Sequence, residues 1–210
     1  MEKIDLKTYW DKVYIKKDVE ELGWYEENPE QSLQLIEKCL LENNAHILNV
    51  GTGASTLIDR LLGLGYNNVT ATDISSTSME KLKSRLGDEQ SKKVQWIVDN
   101  LAQPVELLNI DNVDLWHDRA VLHFLTSESD QNTYFNLLKN TVKPKGYVII
   151  ASFNMDGAIS CSGLPVFRHD VGSLSSKLGD EFTLLNNFDY TYTMPSGDTR
   201  AYVYALYRRK

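Results

Sequence analysis

The segment His46–Ser55 reads HILNVGTGAS and joins a short apolar run to a turn that contains two glycines. The run Ile47–Val50 is too short for a helix, and it therefore predicts a buried β-strand. Gly51 and Gly53 follow at once, and residues without a side chain permit both a tight turn and the close approach of a ligand to the backbone. The segment predicts a strand that ends at a ligand-binding turn.

Strand and helix patterns alternate on both sides of this turn. Strands are predicted at 68–72, 94–98, 113–116 and 147–151, and helices at 30–41, 57–62, 76–86 and near 134–138. Two more strand-like runs, Phe182–Tyr192 and Thr199–Tyr207, are joined through the turn Pro195-Ser196-Gly197-Asp198, which leaves no room for a helix between them. We therefore predict an α/β fold: a doubly wound, mostly parallel seven-stranded sheet with a C-terminal antiparallel hairpin and helices on both faces.

Composition limits the class of protein. The chain has 210 residues, 42% of them hydrophobic, and we interpret 1–210 as one domain. We predict a cytoplasmic protein without a membrane partner, since the sequence has no apolar run of about 20 residues and no signal-peptide core at its start. The net charge of -7 disfavours nucleic acid as a partner. Cys39 and Cys161 lie far apart without neighbouring ligands, so we predict no metal.

Acidic residues end the two strands that follow the glycine turn. Asp73 lies 20 residues after Gly53, where a carboxylate can accept both hydroxyls of a ribose, and Asp99 ends the next strand. Either carboxylate alone is also explained as a helix cap or a loop residue. With the C-terminal hairpin, the pattern resembles the small class I S-adenosylmethionine-dependent methyltransferases over essentially the whole chain.

This resemblance implies S-adenosyl-L-methionine as the cofactor and names its contacts. The implied cofactor-binding residues are Asn49, Gly51, Thr52, Gly53, Asp73, Ile74, Asp99, Asn100 and Leu101, with Trp24 and Tyr25 from an N-terminal lid at 1–30. Aromatic faces attract cations, including a sulfonium, although each lid aromatic is equally explained by packing on the core. The family usually has an acid at the position of Asn49, and an amide there accepts hydrogen bonds without supplying charge.

The segment after the fourth strand faces the transferred methyl group in this family. We expect His117 to act there as a general base near pH 7, with Asp118 orienting its ring. Further substrate-pocket candidates are Arg119, His123, Cys161 and His169. The competing interpretation is that the histidines pack in the core and that the loop around Cys161 only covers the sheet.

Three functions stay open at this point. We favour methylation of a small molecule, because the chain has no additional recognition domain and lacks the strand-four motif of base-modifying amino methyltransferases. The first alternative is a protein methyltransferase that acts on lysine. The second is a non-catalytic module that keeps the fold and the cofactor.

Overall fold

The computed structural model of the chain describes residues 5–210, so the first four residues of the predicted domain and lid lie outside the described part. Its α-helices are α1 Leu6–Lys16, α2 Glu30–Lys38, α3 Leu57–Gly63, α4 Ser76–Ser91, α5 Glu128–Thr141 and α6 Val171–Leu178. Its strands are β1 Ile47–Val50, β2 Val69–Asp73, β3 Val94–Val98, β4 Val113–Arg119, β5 Val142–Phe153, β6 Ser160–Cys161, β7 Leu164–Pro165, β8 Phe182–Thr193 and β9 Thr199–Arg209.

Seven of these strands form one sheet in the order β3-β2-β1-β4-β5-β9-β8. Strands β1 to β5 pair in parallel, whereas β9 runs antiparallel to both β5 and β8. The predicted sheet and its C-terminal hairpin are therefore confirmed. Because the strand order reverses between β1 and β4, a crevice is expected at the carboxyl ends of these two strands.

Buried apolar side chains cover both faces of the sheet. On one face α5 and α6 pack through residues such as Tyr134 and Leu174. On the other face α2, α3 and α4 pack through Leu35, Ile58 and Leu82. The two layers confirm the prediction of helices on both faces. Within residues 5–210, no helix is both long and apolar enough to cross a membrane.

The N-terminal helix is attached to the start of α4. The hydroxyl of Ser75 caps α4 by accepting from the Ser78 backbone N–H at 3.1 Å. Asp11 on α1 accepts from the Ser75 hydroxyl at 2.7 Å and from the Thr77 N–H at 3.2 Å. These bonds hold α1 next to the carboxyl end of β2, where the predicted site lies.

Strand β4 is longer than predicted. It continues to Arg119 because it pairs with β1 and β5 on its two sides, so that His117 lies opposite both Asn49 and Ile149. Residues expected in a loop are therefore strand residues. Their side chains alternate between the two faces of the sheet, which changes what each of them can contact.

Candidate active site

The glycine turn after β1 has a backbone that only glycine adopts easily. Gly51 has φ +57° and Gly53 has φ +54°, both in the left-handed region. A Cβ at Gly51 would overlap the side chain of Val121, and one at Gly53 would overlap the hydroxyl of Tyr14. Both glycines are therefore required by conformation and by space.

The turn is bonded to the end of β2. The N–H of Gly53 donates to Asp73 Oδ2 at 2.7 Å, and the N–H of Ser75 donates to Asp73 Oδ1 at 2.8 Å. Burial raises the pKa of Asp73 to about 6. Each carboxylate oxygen keeps a free lone pair, so Asp73 can still accept the hydroxyls of a ribose.

Asp99 organises the loop after β3. Its carboxylate accepts backbone N–H bonds from Asn100 at 2.8 Å, Val105 at 3.0 Å and Leu107 at 2.9 Å. Asp99 therefore stabilises this loop, as one of the two interpretations of the sequence expected. It also lines the large cavity at the strand ends. A structural role and a ligand contact are compatible here, since a carboxylate has about four acceptor positions.

A cavity of about 470 Å³ opens at these strand ends, a volume in the range of small-molecule and cofactor sites. Its glycine-turn side is formed by Gly51, Thr72, Asp73, Ile74, Asp99, Asn100 and Leu101. Its hairpin side is formed by His123, Phe124, Phe153, Cys161, Ser162, Met194, Arg200 and Tyr202. Arg119 and Trp24 also line this large cavity.

The N-terminal segment covers the large cavity. The Trp10 ring packs edge-on against Trp24, with ring centroids 5.6 Å apart, and against Phe124 at 5.0 Å. The Tyr9 hydroxyl donates to the carbonyl of Ser162, which ties α1 to the segment after β5. The aromatic residues thus lie over both sides of the cavity.

A small cavity of about 40 Å³ lies behind the glycine turn and shares Leu22, Trp24, Gly51 and Arg119 with the large one. Asn49, Thr52 and Tyr25 line this small cavity and not the large one. Gly53 lines neither cavity, so four of the predicted cofactor contacts lie outside the large one.

His117 does not lie where a base for the large cavity is needed. Its Nδ1 is 2.7 Å from Asn49 Oδ1 and its Nε2 is 2.9 Å from the Ser32 hydroxyl, so both ring nitrogens already have partners. Burial lowers its pKa to about 3, which contradicts the expected titration near pH 6–7. The expected position of His117 beside the acceptor is wrong, because β4 turns this side chain towards α2.

Asp118 points to the opposite face and cannot orient His117. Its carboxylate accepts from the Tyr134 hydroxyl at 2.7 Å and from the N–H groups of Val121 at 3.1 Å and Leu122 at 3.2 Å. Burial raises its pKa to about 7. These bonds fix the turn after β4, so Asp118 shapes the site without lining it.

Among the four predicted pocket residues, His123, Arg119 and Cys161 line the large cavity. His123 is fully buried, its ring stacks on Phe153 with centroids 4.3 Å apart, and neither ring nitrogen has a partner among the described residues. Burial lowers its pKa to about 3 and keeps the ring neutral. His169 lies outside the cavity, where its Nδ1 is 3.0 Å from the Ser152 hydroxyl.

The sequence did not single out the residues of the hairpin and of α4 that complete the site. Arg200 and Tyr202 reach the cavity because alternate residues of β9 face the same side, a period-two signal that was available in the sequence. Arg85 on α4 donates to the carbonyls of Ala54 and Ser55 at 2.7 Å each and so holds the glycine turn from behind. No local pattern marks Arg85.

The comparisons with known proteins agree with this geometry. Residues 41–196 match a family described as Methyltransferase domain. The chain belongs to this family. It is an S-adenosylmethionine-dependent methyltransferase, and S-adenosyl-L-methionine is its cofactor.

Three known proteins illustrate the range of relatives. EEF1A lysine methyltransferase 2 of Danio rerio is 27% identical over 165 residues, which cover 72% of this chain and 70% of that protein. A structure of a SAM-dependent methyltransferase from Anabaena variabilis is similar with a TM-score of 0.78, 11% identity and coverage of 99% and 96%. The 1,6-didemethyltoxoflavin-N1-methyltransferase of Burkholderia thailandensis, solved with 1,6-didemethyltoxoflavin and S-adenosylhomocysteine, has a TM-score of 0.67, 17% identity and coverage of 97% and 84%.

Proposed function

We propose that this methyltransferase modifies a small molecule bound on the hairpin side of the large cavity. The observation that carries the proposal is the cover over that side: α1 is bonded to Ser162 through Tyr9, and Trp10 packs on Phe124. An acceptor under this cover is enclosed as a whole. We further propose residues 5–30 as the described part of the lid, a single domain, and a cytoplasmic location.

On the glycine-turn side we propose cofactor contacts from Gly51, Asp73, Ile74, Asp99 and Leu101, which line one continuous wall. When bound, S-adenosylmethionine supplies a methyl group on a positively charged sulfur. The protein's part is to hold the acceptor in line with that group and to exclude water from it. The rings of Trp10 and Phe153 supply the apolar surface that excludes water.

His123 is the residue that we propose for contact with the acceptor. Its ring is neutral and buried, and no residue within 5–210 bonds to either nitrogen, so an acceptor N–H or O–H can donate to one of them. Such a bond orients the acceptor lone pair towards the methyl group. We therefore propose His123 for the position beside the acceptor at which the sequence analysis expects His117.

A second candidate acceptor is a protein lysine, and the similarity to EEF1A lysine methyltransferase 2 of Danio rerio favours it. The test is transfer of labelled methyl from S-adenosylmethionine to a metabolite extract and, in parallel, to denatured cell protein. We expect label in the small-molecule fraction from the wild type and at least about tenfold less from His123→Phe. Label that enters only protein would replace our proposal with the lysine one.

A further inference from the structure

The amide of Asn49 is occupied within the protein. Its Oδ1 lies 2.7 Å from His117 Nδ1, its Nδ2 donates to the Thr52 hydroxyl, and the residue is only 3% exposed. Asn49 replaces the acid that in this family lies near the amino-acid end of the cofactor. That end carries a carboxylate and an ammonium, so it needs other partners in this chain.

Arg119 has a hydrogen-bonding group that no described residue satisfies. Its Nε is 2.9 Å from Glu26 Oε2 and donates to the Tyr204 hydroxyl at 3.1 Å, and its Nη1 donates to the carbonyl of Trp24 at 3.0 Å. Its Nη2 is buried and has no partner among residues 5–210. A buried donor of a charged group without a partner is costly, which indicates that a ligand completes the arrangement.

The Arg119–Glu26 ion pair lies beside the glycine turn. Arg119 ends β4, the neighbour of β1, and lines both cavities together with Gly51 and Trp24. Glu26 lines the small cavity. Both side chains are 11% exposed, so a charged ligand here would interact with little screening by water.

We propose that this ion pair binds the amino-acid end of the cofactor, with Arg119 Nη2 donating to its carboxylate and Glu26 accepting from its ammonium. The carboxylate and the ammonium of the cofactor's amino-acid end are attached to the same carbon atom, and the side chains of Arg119 and Glu26 are in contact. The carboxylate can therefore bind Arg119 while the ammonium binds Glu26. Bonds between charged groups are about twice as strong as neutral ones. Arg119 is thereby moved from the acceptor pocket to the cofactor site, and binding assays without an acceptor test it separately from the proposed function.

The test is calorimetric binding of three ligands that differ only at this end. S-adenosylhomocysteine carries both charges, its decarboxylated amine analogue keeps the ammonium alone, and 5′-methylthioadenosine has neither. The variants are Arg119→Lys, which keeps a charge for Glu26 but removes Nη2, and Glu26→Gln. Arg209→Lys is the matched control, because Arg209 pairs with Glu181 at the same 2.9 Å away from both cavities.

We expect Arg119→Lys to lower the affinity for S-adenosylhomocysteine by roughly tenfold or more and to leave the affinities for the other two ligands within about twofold of the wild type. Glu26→Gln should lower the affinity for both ligands that carry the ammonium and leave the affinity for 5′-methylthioadenosine unchanged. Arg209→Lys should change none of the three affinities. Equal weakening of all three ligands, or none, would overturn the proposal. If Arg119→Lys does not fold, the wild type decides: equal affinity for S-adenosylhomocysteine and its decarboxylated analogue overturns the carboxylate contact.

Discussion

The two sides of the large cavity differ in how their polar side chains are held. On the glycine-turn side, Asp73 and Asp99 each accept two or more backbone N–H bonds and are fixed before any ligand arrives. On the hairpin side, the ring of His123 lies between those of Phe124 and Phe153, and its two nitrogens have no partner in the described part of the chain. Side chains that are already held in place lose little conformational entropy when they bind the cofactor. Buried nitrogens without partners instead favour an acceptor that supplies the missing hydrogen bonds.

The largest effect is expected from Gly51→Ala, which changes the backbone of the glycine turn. Both the positive φ and the overlap with Val121 oppose a Cβ, so the free energy of unfolding should fall by about 2–4 kcal/mol in urea titrations. Binding of S-adenosylhomocysteine should be lost in the folded fraction. Gly197→Ala is the control: its φ is +89°, but beyond its chain neighbours no atom of residues 5–210 lies within 4 Å of its Cβ, so it should lower the free energy of unfolding by only about 1–2 kcal/mol and leave affinity unchanged.

The next comparison sets a carboxylate that lines the cavity against one that does not. Asp73→Asn should weaken S-adenosylhomocysteine by at least about tenfold in calorimetry, because charge-assisted bonds to two ribose hydroxyls are lost. Asp118 is also a buried carboxylate, near the end of β4, but it does not line the cavity, so Asp118→Asn should leave affinity within about twofold. A similar loss in both variants would mean that the cavity depends on Asp118 and not only on the residues that line it.

The same two carboxylates predict how stability varies with pH. Burial raises the folded-state pKa of Asp73 to about 6 and that of Asp118 to about 7, above the unfolded value near 3.9. Between about pH 4 and 7 these two carboxyls hold more protons in the folded than in the unfolded chain, so their contribution to the free energy of unfolding falls as pH rises, by about 2–4 kcal/mol for each group. The buried histidines His117, His123 and His169 have lowered pKa values and change the free energy of unfolding in the opposite direction. The test is therefore a difference between two proteins: in urea titrations, the free energy of unfolding of the wild type should fall relative to that of Asp118→Asn between pH 5 and pH 8.

The two buried histidines of β4 and its following turn provide the third comparison. His117→Phe should lower the free energy of unfolding by about 1–3 kcal/mol, since Asn49 and Ser32 lose their partners. His123→Phe should leave stability unchanged or slightly higher, because it removes two buried nitrogens to which no described residue bonds, and should lower methyl transfer by at least about tenfold. Single-turnover assays on the folded proteins separate the two, and reduced turnover in His117→Phe alone would reverse our assignment.

The glycine-turn side could be predicted from the sequence because its determinants are local. A short apolar strand followed by Gly51 and Gly53, and an acid at the end of each of the next two strands, predict both the parallel sheet and a cavity at its carboxyl edge. Asp73 and Asp99 do line the cavity. The position of these two acids at the strand ends was sufficient to predict that they line the cavity.

The hairpin side could not be predicted in the same way. His123, Cys161 and Tyr202 come from three distant segments, and only tertiary pairing brings them together. The error at His117 has a simpler cause. The sequence predicts that the fourth strand ends at residue 116, whereas the strand continues to Arg119. Because successive strand residues point to opposite faces of the sheet, His117 and Asp118 point away from each other.

The smallest effect is expected from Asn49→Asp, which nonetheless tests whether the family's usual acid is needed here. Asn49 faces His117 and Thr52 and not the large cavity, and either partner can donate to a carboxylate. We therefore expect S-adenosylhomocysteine affinity to stay within about threefold of the wild type at both low and moderate salt. A gain of tenfold or more that fades as salt increases would mean a new ionic contact with the cofactor ammonium. The ammonium would then lie at Asn49 and not at Glu26, and the ion pair with Arg119 would lose half of the role that we assign to it.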